Sequence, residues 1–420
     1  MFKRCWTNRV LVVSLFAIVV SGLAGCDRTD AVGSVVGADV ARSDAPRLPV
    51  PSLDGELVAG NTAFALDLYR VLFDQEENLF YSPHSLSAAL AMTYAGARAE
   101  TEQQMAEALH YTLPQAQLHA AFNALDQALA GREGEDLHIV NAVWGQQGYS
   151  FLDAFLDTLA ENYGAGLRTM DFGSDEARRL INQWVSDQTE GKIQDLLPPG
   201  AVDGETALVL TNAVYFKAGW MHPFDESMTR ADSFSLLDGQ ETTVMMMNHL
   251  AELGYAERPG VQAVELPYAG GELSMVIVLP ETGAFDEFAQ GLDAGELDAL
   301  LSDIEPRGVQ LAMPKFRFDA ALGLKDALIE LGMTDAFGAA DFSGMDGSRE
   351  LFIDQVYHQA YLAVDEAGTE AAASSAVVMA RKGVPEVEQE VRVDRPFLFL
   401  IRDVETGAIL FLGHVLNPAA

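Results

Sequence analysis

The stretch DEAGTEAAASSAVVMARKG, residues 365 to 383, passes from acidic residues through small and β-branched ones to a basic pair. Alternate side chains of an extended chain face the same side. An inward Thr369 is therefore followed inward by small or apolar residues, and Glu370 faces water. The inward set is Ala371, Ala373, Ser375, Val377 and Met379. The segment can thus be buried as a strand without burying an unpaired charge. Composition alone also allows a helix, because Glu370 to Ala373 are good helix formers.

This stretch resembles the hinge of the reactive loop of serpins, a family of serine protease inhibitors, and its run AAASSAVVMA is most similar to antithrombin-type loops. The matching hinge residues are Glu366, Gly368, Thr369, Glu370, Ala371, Ala372, Ala373, Ser374 and Ser375. The resemblance implies an α+β serpin fold. Such a fold has a large central, mostly antiparallel sheet, additional sheets, about eight to nine helices and an exposed reactive loop over about 366–390. It also implies a suicide substrate whose cleaved loop inserts into the sheet.

Other segments resemble the same family in the expected order, so that the resemblance covers nearly all of residues 59 to 418. They are LFYSPHSLSAALAMTYAGARAETEQQM (79–105), Asn212 to Phe224, Met245 to Met247, Pro314 to Phe316, Leu331 to Phe337 and 395–418. Pattern alone predicts helices over 59–73 and from Pro83 to Tyr94, and strands over 137–145 and 206–216. It also predicts a hairpin around the Glu-Thr-Gly turn within 395–418.

Five polar or aromatic residues fall where serpins control the opening of the central sheet. By resemblance, Ser82, Ser85, Asn212 and His358 form a shutter, a polar cluster beneath the central strands, and Trp220 lies in the breach, where the loop first enters. A hydrogen-bonded cluster can hold two strands together and re-pair after insertion. Each residue also has an ordinary interpretation, since the serines can cap the helix after Pro83 and the larger rings can be core residues.

The basic pair predicts the target. Spacing from Gly368 and from Pro396 agrees with the family register in placing the reactive bond between Lys382 and Gly383, with Arg381 as the alternative position. A basic residue before the cleaved bond suits trypsin-like serine proteases, whose primary pocket is acidic. We therefore expect a trypsin-like partner with Lys/Arg preference.

The N-terminal sequence is typical of an export signal. Residues 1–25 combine a basic start with an apolar run, and Leu23-Ala24-Gly25-Cys26 resembles a bacterial lipobox, which implies lipidation of Cys26; an ordinary secretory signal is the alternative. Residues 26–56 are predicted to form a flexible tether and 57–420 the serpin domain. The domain is then exported and lipid-anchored to the bacterial envelope, with the inner or outer membrane left open.

The composition of the chain argues against some classes of binding partner. The formal net charge of -36 argues against nucleic acid or a heparin-like polyanion as a ligand. The chain has no G-x-S-x-G, H-E-x-x-H or P-loop motif, so we expect no catalytic residues, no metal and no cofactor. A monomeric inhibitor is the favoured function. A non-inhibitory serpin with a binding or chaperone role, and an enzyme whose site forms only in three dimensions, remain the alternatives.

Overall fold

A computed structural model describes residues 39–49, 55–74, 77–130, 135–174, 176–369 and 386–419. Several predicted sites lie outside these ranges. They are the lipidation residue Cys26, the second part of the hinge from Glu370 to Ser375, and the reactive bond with its alternative, Arg381, Lys382 and Gly383.

The described residues contain ten α-helices, in agreement with the expected eight to nine once the shortest are set aside. They are α1 (Gly55–Leu72), α2 (Pro83–Tyr94), α3 (Ala99–Ala108), α4 (Gln115–Ala130), α5 (Asp153–Tyr163), α6 (Ala177–Gln188), α7 (Phe285–Gly291), α8 (Ala294–Ser302), α9 (Lys325–Glu330) and α10 (Ser343–Asp346). The predicted boundaries of α2 are confirmed. Ser82 caps its N-terminus and Pro83 occupies the first turn, where a missing N–H costs nothing.

Sixteen strands are described. They are β1 (Asp39–Ala41), β2 (Leu79–Tyr81), β3 (Glu135–Gln146), β4 (Leu167–Met170), β5 (Leu208–Gly219), β6 (Arg230–Ser235), β7 (Glu241–Arg258), β8 (Val261–Pro267), β9 (Leu273–Pro280), β10 (Glu305–Pro314), β11 (Phe316–Gly323), β12 (Ile353–Val364), β13 (Gly368–Thr369), β14 (Gln389–Arg392), β15 (Phe397–Asp403) and β16 (Ile409–Val415). The predicted closing hairpin is confirmed as β15 and β16.

The strands form two large sheets. The central sheet has the order β1-β4-β3-β5-β13-β12-β11, and all its pairings are antiparallel except β3 with β4 and β5 with β12. The second sheet has the order β14-β10-β7-β8-β9-β15-β16-β2, with β6 on β7. Helix α2 is buried along almost its whole length and packs against β3, β5 and β16. Burial on all sides is typical of a central core helix, and the buried hydroxyls of Ser85 and Ser87 are hydrogen-bonded. The α+β fold with a mostly antiparallel central sheet is as the resemblance implies.

One part of the predicted tether is structured. Within 26–56, residues 39–49 lie against the domain, and β1 adds an edge strand to the central sheet through β4. The Arg47 guanidinium donates to Asn123 Oδ1 at 2.8 Å and pairs with Asp126 on α4 at 2.5 Å. These partners are distant in sequence. The order of this arm therefore comes from tertiary contacts that its polar composition does not reveal.

Candidate functional site

The central sheet divides at one end of the β5–β12 pair. These strands run parallel, in direct register from Val209 and Gln355 up to Tyr215 and Tyr361, with an irregularity between Ile353 and Gln355. Beyond that point β13 lies between them and is antiparallel to both, with Thr369 opposite Ala218 of β5 and Val364 of β12. We call this point, defined by Tyr215, Ala218, Tyr361 and Val364, the fork. The sheet therefore already holds Gly368 and Thr369, the residues that directly precede the rest of the predicted loop in the sequence.

The hinge segment, Asp365–Thr369, enters the fork through a tight turn. Asp365 N–H donates to the Gly368 carbonyl at 2.9 Å, and the Asp365 carboxylate accepts from the backbone N–H groups of Ala367 and Gly368. Gly368 has a φ of +155°, and an added Cβ would overlap the Ala218 carbonyl oxygen. Only glycine fits there without displacing the strand.

Trp220 binds the hinge segment through its backbone and its ring. Its backbone N–H donates to the Ala367 carbonyl and its indole N–H to the Asp365 carbonyl, both at 2.9 Å. The indole stacks on Tyr268 with ring centroids 4.6 Å apart. Tyr268 in turn shares a 2.7 Å hydrogen bond between its hydroxyl and that of Thr369, which is fully buried. The predicted inward orientation of Thr369 is therefore confirmed.

Glu366 anchors the base of the hinge to the neighbouring strands. Lys315 Nζ lies 2.5 Å from one carboxylate oxygen, and the Thr229 hydroxyl donates to the other at 2.7 Å. Burial alone would raise the pKa of Glu366, but the hydrogen bonds from Lys315 and Thr229 together with the Lys315 charge lower it overall. The carboxylate is therefore ionised at neutral pH and ties the hinge to a cation.

The predicted polar cluster forms below the fork. His358 and Asn212 are paired across β12 and β5, and His358 Nδ1 lies 2.5 Å from Asn212 Oδ1. His358 Nε2 accepts the Ser82 backbone N–H at 3.1 Å. Because Nε2 must carry a lone pair to accept, the neutral ring bears its proton on Nδ1 and donates it to Asn212. Burial lowers the pKa of His358 to about 3.

Ser85 and an unexpected asparagine complete the cluster. Asn212 Nδ2 donates to the Ser85 hydroxyl at 2.5 Å and to Asn141 Oδ1 on β3, which also accepts from the Ser85 hydroxyl. Ser82 donates its hydroxyl to the Leu410 carbonyl and accepts the Ser85 backbone N–H. Ser82 therefore both caps α2 and belongs to the hydrogen-bonded cluster. Buried polar groups satisfied in this way join β3, β5 and β12 to α2.

The comparison with known families identifies the chain at this point. The model of the family described as Serpin (serine protease inhibitor) matches residues 59–418. The chain belongs to the serpin family. An uncharacterized serpin-like protein of Thermococcus kodakarensis is 40% identical over 363 residues, which cover 85% of this chain and 84% of that protein. The leukocyte elastase inhibitor of Sus scrofa is 39% identical over 380 residues, 86% of this chain and 100% of that protein.

The fold agrees with that of solved serpins. The native state of the thermophilic serpin tengpin superposes with a TM-score of 0.84 at 30% identity, covering 91% of this chain and 100% of that chain. Among the residues that the structure describes, no helix is both long and apolar enough to cross a membrane. The same residues contain no cluster of three or more acidic, histidine or cysteine side chains arranged to hold a metal ion.

The structure places the assigned residues that it describes in two groups. One is the polar cluster of Ser82, Ser85, Asn212 and His358, and the other joins Trp220 to the hinge residues Glu366, Gly368 and Thr369 at the fork. The structure also adds Asn141, Tyr268 and Lys315 as partners of the predicted residues. Asn141 has a weak signal in the sequence, because it is a polar residue within the otherwise apolar run of β3. Lys315 lies in the segment Pro314 to Phe316 that resembles the family, but no role was predicted for it. Tyr268 carries no local signal. The roles of both depend on contacts with a hinge about 50 or 100 residues away.

Proposed function

We propose that this serpin is an inhibitor of trypsin-like serine proteases and acts as a suicide substrate. The protease serine attacks the Lys382 carbonyl, the bond to Gly383 breaks, and an ester joins the two proteins. The freed loop then continues β13 down the central sheet and carries the protease with it. Distortion of the protease site slows hydrolysis of the ester, since loss of one oxyanion-hole donor alone costs about two to three orders of magnitude in rate.

The observation that carries this proposal is the position of β13 between two parallel strands. A strand that continues β13 is antiparallel to both β5 and β12. It replaces one parallel ladder with two antiparallel ladders, and parallel pairing is slightly the less stable per residue. Each inserted residue also gains a neighbour on both edges. Completion of the sheet therefore favours the inserted product.

The length of the available slot agrees with the predicted loop. Continuing the register of Thr369 opposite Ala218 sets residues 370 to 379 against Lys217 to Leu208 of β5. All inward residues of that run are small or apolar, and the first basic residue, Arg381, lies beyond it. The loop can thus fill the slot without burying a charge, and Lys382 stays outside for the attached protease.

The direct test is to mix the protein with trypsin and to look for a complex that survives denaturing electrophoresis. We expect a stable complex beside cleaved protein. Trypsin with its nucleophilic serine replaced by alanine is the control and should give no such complex. Cleavage with undiminished trypsin activity would contradict the proposal and favour the non-inhibitory alternative.

Variants of the loop test the register and the bond. Thr369→Arg places a charge at a fully buried site and should be cleaved without trapping, whereas Thr369→Val, of matched volume, should still trap. Lys382→Glu should abolish recognition by trypsin. If inhibition persists in Lys382→Glu and is lost in Arg381→Glu, the cleaved bond lies one residue earlier.

We further propose that the protein is exported and lipid-anchored at Cys26, and that the monomeric domain acts outside the cytoplasm. The support is the signal-like segment and the lipobox-like tetrad in the sequence. Metabolic labelling with a fatty-acid probe in a bacterial host should mark the wild type and spare Cys26→Ser. Equal labelling of both, or release of both as soluble protein, would favour an ordinary secretory signal.

A further inference from the structure

A single lysine faces both strands that must separate for the loop to insert. Lys192 Nζ lies 5.7 Å from the ring centroid of Tyr215 on β5 and 5.5 Å from that of Tyr361 on β12. The centroids of the two tyrosine rings are 6.3 Å apart. Tyr215 and Tyr361 are the last residues of β5 and β12 that pair directly with each other at the fork. Both distances are within the range of a cation–π contact. One cation therefore bridges the two strands at the point where they diverge.

The backbone near Lys192 is held in place by the end of α6. The Lys192 N–H donates to the Thr189 carbonyl at 2.9 Å, and the next N–H, of Ile193, donates to the Thr189 hydroxyl. Thr189 is fully buried and Gly191 supplies the left-handed turn between them, with a φ of +76°. The ammonium group thus projects over the rings from a fixed turn.

Insertion of a strand breaks this bridge. Each strand occupies about 4.8 Å in the hydrogen-bonding direction, so the loop separates β5 and β12 by that amount. If the inserted loop continues the register of β13, the third loop residue after Thr369 passes between Tyr215 and Tyr361. Lys192 then loses its contact with at least one ring.

We propose that Lys192 is a positioning residue that slows the opening of the fork. This inference rests on the proposed function, because opening matters only if the loop inserts. Lys192 would restrain the intact loop from premature insertion, and it would also add to the barrier that the cleaved loop must cross before its ester is hydrolysed.

Arg317 supplies a matched control. Its guanidinium carbon lies 5.1 Å from the centroid of the same Tyr361 ring, but Arg317 belongs to β11, which stays paired with β12 throughout insertion. Removing either cation takes one cation–π contact from Tyr361. Only removal of Lys192 weakens the pair of strands that must part.

The test needs no protease, so its failure can be told apart from failure of the proposed function. A synthetic peptide with the sequence of residues 370–382, which continues from the Thr369 already held in β13, is added to the intact protein. Its uptake into the sheet is followed by tryptophan fluorescence, to which Trp220 beside β13 contributes. We expect Lys192→Met to take up peptide about two- to fivefold faster than the wild type, the range for an exposed cation–π contact. Lys192→Arg should restore the wild-type rate, and Arg317→Met should leave it unchanged.

Hydrogen exchange at the backbone amides of the β5–β12 ladder next to Tyr215 and Tyr361 provides a second measurement that requires no insertion. Lys192→Met should raise the exchange rate of these ladder amides by about the same two- to fivefold. Equal uptake and exchange in wild type and Lys192→Met would overturn the inference, as would an equal acceleration by Arg317→Met. If the peptide result holds while trypsin is never trapped, the role of Lys192 stands and the inhibitory function fails.

Discussion

Acid should lower the free energy of unfolding of the native state through protonation of His358. The burial of this ring determines how large the loss of stability is. Burial lowers the pKa of His358 from 6.5 to about 3, so the unfolded chain binds a proton before the folded protein does. Its contribution to stability is therefore complete above pH 6.5 and declines as the pH falls toward 3. Between about pH 7 and about pH 5 the loss is about 2 kcal/mol. Protonation of Nε2 would also remove the acceptor of the Ser82 N–H.

The assay compares the wild type with His358→Gln, which keeps a polar side chain but does not titrate. Urea unfolding is measured for both proteins at about pH 7 and about pH 5. Replacing the ring should lower the free energy of unfolding at both pH values. The further loss of stability on going from the higher to the lower pH should nevertheless be about 2 kcal/mol smaller in the variant than in the wild type. Other buried histidines with lowered pKa values, His84, His119 and His414, titrate in both proteins and cancel in the comparison. Mass spectrometry should confirm that the loop is intact.

An equal loss of stability in both proteins would refute the reasoning. So would a nuclear magnetic resonance titration of the folded protein in which the His358 ring takes up its proton above about pH 5. Either result would mean that the buried ring accommodates the charge, and the cluster would then not respond to acid.

Three other substitutions test separate contacts. Gly368→Ala should expel the hinge segment from the sheet because its Cβ overlaps the Ala218 carbonyl, and limited proteolysis should then cut the loop faster; an unchanged rate contradicts this. Lys315→Met leaves Glu366 without its cation and should lower the free energy of unfolding in urea by about 1 to 3 kcal/mol at neutral pH. Since the pKa of Glu366 is lowered, this loss should be complete above pH 4.5 and vanish in stronger acid. A loss of stability that does not depend on pH would argue against the ion pair. Arg47→Ala should cost about 1 kcal/mol and speed hydrogen exchange in the arm. Exchange at the wild-type rate would show that β1 and the contacts of Ser43 and Leu48 hold the arm without Arg47.

Local pattern was sufficient where a segment carries its own structural signal. Helix α2 begins at Pro83 because a capping serine precedes a proline, and the hairpin of β15 and β16 turns at a Glu-Thr-Gly sequence. The alternation of small residues also predicted correctly that Thr369 points inward. These features depend on neighbours in the chain, so periodicity and turn chemistry reveal them.

Contacts between distant segments could not be predicted in this way. Asn141 completes the polar cluster only because β3 pairs with β5 in one register, and a shift of one residue would turn its side chain to the other face. The arm was expected to be flexible because its composition is polar and rich in proline, yet Arg47 finds its partners on α4. The resemblance to serpins located residues whose family roles were known, but it did not identify Asn141, Tyr268 and Lys315 as their hydrogen-bond partners.

The docked arm changes how far the domain can travel from a membrane. If Cys26 is lipidated, as proposed, only the twelve residues 27–38 lie between the lipidated cysteine and the first strand, a span of thirteen residue steps from Cys26 to Asp39. Fully extended, they reach about 45 Å, whereas a free chain up to residue 56 would reach about 105 Å. The volume that the domain can sweep is then about tenfold smaller. A tether this short would concentrate the inhibitor close to the envelope surface, so that more distant proteases would not be inhibited.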